Sequence, residues 1–108
     1  MIRIIELPTF LKSIKKLFSD VDKKKLYEML CINPELGNII QGTSGVRKIR
    51  FSHGNKGKRG GSRVIYYYHV SESEILMITA YAKNKQEDIS EDQKKAMRNL
   101  IKQLKEGL

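Results

Sequence analysis

The strongest constraint on this chain is a run of three β-type segments with almost no chain between the last two. Residues 46–51 (VRKIRF), 62–70 (SRVIYYYHV) and 74–82 (EILMITAYA) are rich in β-branched and aromatic side chains, which suit a pleated, half-buried surface. Only Ser71, Glu72 and Ser73 separate the second from the third. A parallel return needs a crossover of about a dozen residues or more, so these two segments must form an antiparallel hairpin. The first pairs back on the second across residues 52–61, and the three make a meander.

Around the meander the period changes. Residues 2–7 (IRIIEL) read as a first strand, and Pro8 ends any ladder that needs its amide. From Thr9, read as an N-cap, Phe10, Leu11, Ile14, Leu17 and Phe18 fall on one helical face. Ser19 and Asp20 break that helix and cap a second, which carries Leu26 and Leu30 until Pro34 stops it. Ser90 opens a last helix with a capping box to Gln93, its stripe is Met97, Leu100, Ile101 and Leu104, and Gly107 marks its end. A length of 108 residues suits one domain. The expectation is a single α+β domain over residues 1–108. It comprises a small antiparallel sheet, built from the N-terminal strand and the meander, with two helices ahead of the meander and one behind.

Charge narrows the partner. The chain holds 21 Lys and Arg against 12 Asp and Glu, a formal net charge of +9, and so positive a surface calls for a polyanion. No apolar run approaches the roughly 20 residues of a spanning helix, and MIRIIELPTF lacks the apolar core and cleavage site of a secretory signal. A cytoplasmic protein with no membrane partner is expected. Cys31 is the lone cysteine, which precludes an internal disulfide and reads as a buried structural thiol.

The cations have a pattern. In VRKIRF a period of two sends Ile49 and Phe51 to one face, Lys48 and Arg50 to the other. The loop SHGNKGKRGGSR adds Lys56, Lys58, Arg59 and Arg63, among glycines that let backbone approach a phosphate closely. Arg63 opens the next strand, and antiparallel pairing brings it back toward Lys48 and Arg50. Opposed like charges destabilise a sheet, so a purely structural sheet would not place them there; an anion-binding face would. Beyond the third strand, YAKNKQED sets Lys83 and Lys85 beside Tyr81. Tyrosines interleaved with cations offer stacking surfaces to single-stranded RNA, and Tyr66, Tyr67, Tyr68 and Tyr81 are the candidates, although for any single one of the four a core or half-buried place in its strand is the better fit. His53 in the basic loop is assigned to RNA binding together with Lys56, Lys58, Arg59, Tyr81 and Lys85.

Other chemistries find little support. There is no clustered Cys and His, HExxH, GxxxxGK[ST] or GxSxG pattern, so neither metal nor cofactor is expected. His53 and His69 suggest a two-histidine ribonuclease, but His69 sits late in a strand and reads as structural.

The run NPELGNIIQGTSGVRKIRFSHGNKGKRGGSRVIYYY, followed by ITAYAKN and SEDQKK, resembles the HigB branch of RelE-type toxins, most clearly over residues 33–95. The resemblance implies a RelE-like fold and a ribosome-dependent, metal-independent endoribonuclease that cuts mRNA in the decoding site of the 70S ribosome. The 2′-hydroxyl attacks the adjacent phosphate in line, leaving a 2′,3′-cyclic phosphate and a 5′-hydroxyl. It also implies a cognate antitoxin, through which alone operator DNA would be bound. The family's basic strand pair falls on Lys48 and Arg50, and its strand-opening arginine on Arg63. A lysine can serve as proton acceptor, whereas arginine stays charged and suits stabilisation of the phosphorane. The catalytic residues so implied are Lys48 as base, Arg50 and Arg63 as stabilisers, and Lys83. Relatives that carry an arginine after the last strand and a tyrosine shortly beyond it differ from this chain, which reads KNKQEDIS there; Lys83, Lys85 and Tyr81 are the candidates for the proton donor. The competing readings are a basic RNA- or ribosome-binding protein that does not cut, and a DNA-binding regulator, which would need a base-reading helix rather than cations on strands and a loop.

Overall fold

The computed structural model describes residues 1–52, 61–84 and 88–107. Along these residues the order is β1 (Arg3–Glu6), α1 (Pro8–Ile14), α2 (Asp20–Ile32), β2 (Asn38–Ile39), β3 (Arg47–Phe51), β4 (Ser62–His69), β5 (Glu74–Ala82) and α3 (Glu91–Lys105). The meander lies where its side chains predict: β3, β4 and β5 are antiparallel neighbours. Between β4 and β5 the chain turns through a short 3₁₀ segment, Val70–Glu72, and Ser73 takes a left-handed conformation at φ 52°.

Two features correct the expected sheet. Its order is β1-β5-β4-β3-β2, and β1 runs parallel to β5, so the sheet is mixed and not antiparallel. The alternation within IRIIEL specifies a face to bury, whereas its direction is set by how the intervening helices return the chain, which that alternation does not encode. The added strand β2 is two residues long, pairs with Arg47 and Lys48, and is too short to show a period.

Helix boundaries follow local chemistry. Ser19 Oγ accepts from Asp22 N at 3.1 Å while Asp22 accepts from Ser19 N at 3.0 Å, and Ser90 and Gln93 form the second reciprocal box. Thr9 does not cap α1. Pro8 occupies the first turn behind Leu7, which frees the Thr9 hydroxyl to donate to Ile78 O. Ser13 Oγ accepts from Ala80 N at 3.0 Å. The pairing of β1 with β5 ends at Met77, so these two hydroxyls serve the edge of β5 just beyond it.

At that point β5 bulges. Ile65 pairs with Thr79 but Tyr66 pairs with Met77, so Ile78 is an extra residue in β5. Its neighbours exchange faces as a result. Ile75, Met77 and Ala80 join one core, with Phe10, Ile14, Leu26 and Leu30 of the N-terminal helices. Leu76, Ile78 and Tyr81 lie on the opposite face, against Ile65, Tyr67 and the α3 residues Met97 and Ile101.

Cys31 is exposed, contrary to expectation. Leu26 and Leu30 are the residues α2 buries, and Cys31 lies about 100° further round the helix. Elsewhere, Tyr66 anchors the segment after α2: its hydroxyl accepts from Gly37 N and donates to Pro34 O, both at 2.8 Å. Arg47 donates to Gly37 O at 2.7 Å. A Cβ on Gly37 would meet Lys48 O and the Tyr66 ring at 3.0 Å, so this segment is fitted closely behind Lys48.

Glu6 joins β1 to α2. Its carboxylate pairs with Lys23 Nζ at 2.6 Å and accepts from the Tyr27 hydroxyl. The Lys23 and Tyr27 hydrogen bonds hold Glu6 below its ordinary 4.5. A carboxyl depressed in the fold contributes stability above its unfolded value and loses it as pH falls through the folded value. Glu6→Gln should therefore be less stable at pH 7, by about 0.5 kcal/mol on the scale of a solvent-screened pair. Urea midpoints should converge with the wild type below pH 4.5. A gap that does not narrow at all as the pH falls would assign the loss to packing.

Candidate functional site

Four of the residues singled out from the sequence come together on the α3 face of the sheet. Lys48 and Arg50 share a side of β3 with Val46, a member of the α3-facing core. Arg63, in β4, lies directly opposite Arg50, and Tyr81, in β5, directly opposite Arg63. Three adjacent strands thus contribute cation, cation and phenol in one row, where β3 and β5 end and β4 begins. Lys48 adds a third cation two residues back along β3.

The row is graded in exposure. Arg50 is exposed and Lys48 half-buried, whereas Arg63 is only 8 % exposed. Among the described residues, the buried Arg63 Nη1 and Tyr81 hydroxyl have no hydrogen-bond partner. An unsatisfied buried donor costs about 1–3 kcal/mol, and more when charged. Two such donors on paired positions of neighbouring strands make a place where an oxyanion would be stabilised.

Sequence reasoning missed Asp88. Its carboxylate lies 3.8 Å from Lys48 Nζ and accepts from Ile89 N at 2.8 Å; these two contacts, the amide first, hold it below the usual carboxylate range. An exposed aspartate two residues ahead of a helix cap carries no signal in one sequence, so only the fold reveals it. Burial pushes the Tyr81 phenol upward, the Asp88 charge adds to the effect, and Arg63 opposes it. The phenol therefore keeps its proton at neutral pH.

The remaining assignments divide in two. Lys83 is exposed, and its amide donates to Gly61 O at 3.3 Å, which places it at the rim, two residues past Tyr81. His53, Lys56, Lys58, Arg59 and Lys85 lie outside the described residues. Tyr66 and Tyr67 are buried in the two cores and Tyr68 packs on the first, so their rings are taken up by the fold. His69 is at the other end of β4 from Arg63, about 20 Å away at strand rise. Its Nε2 lies 3.2 Å from Ser71 Oγ and its Nδ1 3.6 Å from Glu74, so it belongs to the hairpin turn. Among the described residues no group of three His, Cys, Asp or Glu is placed to hold a metal, and no helix is long and apolar enough to cross a membrane.

The fold has solved counterparts. It matches the isolated E. coli RelE toxin at a TM-score of 0.59 and 20% identity, covering 93% of this chain and 99% of that one. It matches a free E. coli RelE variant at 0.58 and 16%, covering 80% and 87% respectively. The intact E. coli RelBE toxin–antitoxin complex matches at 0.56 and 20%, covering 74% of this chain and 94% of that chain. At such identities these likenesses speak to the α+β RelE-like fold. The sequence model of the family described as the RelE toxin of the RelE/RelB toxin–antitoxin system matches residues 9–107. That span takes in the whole row of Lys48, Arg50, Arg63 and Tyr81 together with all three helices save the first residue of α1, and the chain accordingly belongs to the RelE toxin family.

Proposed function

We propose that this protein is the toxin of a type II toxin–antitoxin pair, of the HigB branch, and that it inhibits translation as a ribosome-dependent endoribonuclease cutting mRNA in the decoding site. The observation that carries the reading is Arg63: a buried guanidinium with an unpartnered nitrogen, set opposite a second arginine. Such an arrangement is stabilised by an oxyanion, a phosphate or a carboxylate, and the basic residues along the same strands favour the polyanion. The HigB assignment rests on the GVRKIR and KGKRGGSR blocks.

In this reading the phosphate adjacent to the cut sits between Arg50 and Arg63, which balance the charge that grows on the phosphorane. Lys48 takes the proton from the attacking 2′-hydroxyl, and Asp88 holds the Lys48 side chain at the edge of the row. Lys83 extends the cationic rim, and His53, Lys56, Lys58, Arg59 and Lys85 would grip the flanking RNA. No step calls on a metal. The E. coli RelBE complex supplies the analogy for a cognate antitoxin, and an acidic segment of such a partner would be drawn to the same row. Operator DNA would be engaged through the antitoxin, in the cytoplasm.

The test is primer extension on a reporter mRNA translated in a purified bacterial system. Added protein should produce stops within the codon occupying the decoding site, none on naked mRNA, and downstream fragments bearing 5′-hydroxyl ends. Intact message on ribosomes that carry the protein would sink this reading and leave a basic ribosome-binding inhibitor.

A further inference from the structure

We infer that the Tyr81 hydroxyl is the proton donor to the leaving 5′-oxygen, an assignment that rests on the ribonuclease reading above. Three observations support it. First, its position: Tyr81 is paired directly with Arg63, on the side of Arg63 away from Arg50 and Lys48. A phosphate held by Arg63 thus has Lys48 toward one flank and Tyr81 on the other, which suits an in-line displacement whose base and acid work from opposite sides. Second, its hydroxyl is buried and, among the described residues, makes no hydrogen bond. A tyrosine serving only the core would be expected to satisfy that group, as Tyr66 does with Gly37 and Pro34. Third, the phenol retains its proton at rest, because burial and Asp88 both disfavour the phenolate, while Arg63 lies close enough to stabilise it once the proton has gone.

The step balances. The 2′-oxygen forms a bond to phosphorus and gives its proton to Lys48 in its neutral amine form, which becomes the ammonium. The bond from phosphorus to the 5′-oxygen breaks, and its electron pair takes the Tyr81 proton, which yields the 5′-hydroxyl. The phenolate is then reprotonated from water. An alkoxide is much more basic than a phenolate, so the transfer runs downhill when the bond breaks. The fold supplies the placement through the bulge at Ile78: with a strict period of two, Tyr81 would share a face with Ile75 and Met77.

The test uses Tyr81→Phe, which keeps the ring, on ribosomes programmed with two messages. One has the ordinary linkage at the cut, the other a sulfur in place of the bridging 5′-oxygen, whose thiolate leaves without a proton. With oxygen, Tyr81→Phe should slow cleavage by about 100-fold or more, the usual size of a general-acid contribution. With sulfur, mutant and wild type should cut at similar rates. Equal losses on both linkages would overturn the assignment and make Tyr81 a positioning residue; so would wild-type rates on oxygen. If the wild-type protein cuts neither message, the ribonuclease reading itself fails, a result distinguishable from the other two.

Discussion

Arg63→Met should lose mRNA cleavage by about a thousandfold or more, the scale of a transition-state arginine, and should melt at a higher temperature than the wild type. The two effects have one origin. Arg63 is 8 % exposed with Nη1 unpartnered, and Arg50 stands directly opposite. In the free protein, the fold therefore bears the desolvation of a cation and a cross-strand repulsion together. Methionine keeps much of the length and apolar stem while removing both, which should raise stability by about 1–2 kcal/mol, or roughly 4–8 °C per kcal/mol in a small domain. With the stabilising charge gone, the phosphorane is left to Arg50, which is exposed and screened by water. Calorimetry beside a ribosome cleavage assay checks both halves. A variant that is inactive and also less stable would show that Arg63 is held by contacts of its own and serves the fold, which would weaken the case for an anion site.

Phe10→Ala should damage the fold by about 3–5 kcal/mol, out of a total of roughly 5–15 kcal/mol for a domain of ordinary stability. Phe10 is fully buried in the core between the N-terminal helices and the sheet, with its ring 6.5 Å from that of Tyr27. The helix that carries it has seven residues and no side-chain N-cap, too short to persist unaided. Phe10 and Ile14 hold it down, and it in turn presents Thr9 and Ser13 to Ile78 and Ala80 of β5. Urea denaturation should show a midpoint shift with little change in slope. A loss near 1 kcal/mol would mean that the surrounding residues collapse into the space and that α1 is anchored mainly by its two hydroxyls. Because those hydroxyls serve the strand that carries Tyr81, cleavage by Phe10→Ala should also fall at temperatures where most molecules remain folded.

Much of this was legible in the sequence, and the limits of legibility have physical causes. The meander could be read because side-chain alternation and the three-residue connection at Ser71–Ser73 act over short distances. Both capping boxes could be read for the same reason. The adjacency of Arg50 and Arg63 followed from antiparallel pairing, but their unequal burial did not, since register does not say what packs over each strand. The parallel course of β1 and the exposure of Cys31 were misread because each is decided by the packing of whole elements. Asp88 was invisible: its contact with Lys48 joins residues 40 positions apart in the chain. The loop that suggested the function, with His53, Lys56, Lys58 and Arg59, lies outside the described residues, so its assignments remain those of composition and spacing.

The bulge at Ile78 gives β5 a divided responsibility. Up to Met77 its odd positions belong to the core against the N-terminal helices; after the extra residue, odd-numbered Tyr81 faces the cations and even-numbered Ala80 takes the core position. Folding and chemistry are thus written on the same strand in two reading frames. Smoothing the bulge with every residue retained would in a single step send a phenol toward the core and a methyl group toward the opposite face, whereas deleting Ile78 would restore plain alternation and leave Tyr81 beside the cations. A strand of this kind lets a small domain change the side chains of one face without rebuilding the interior behind the other.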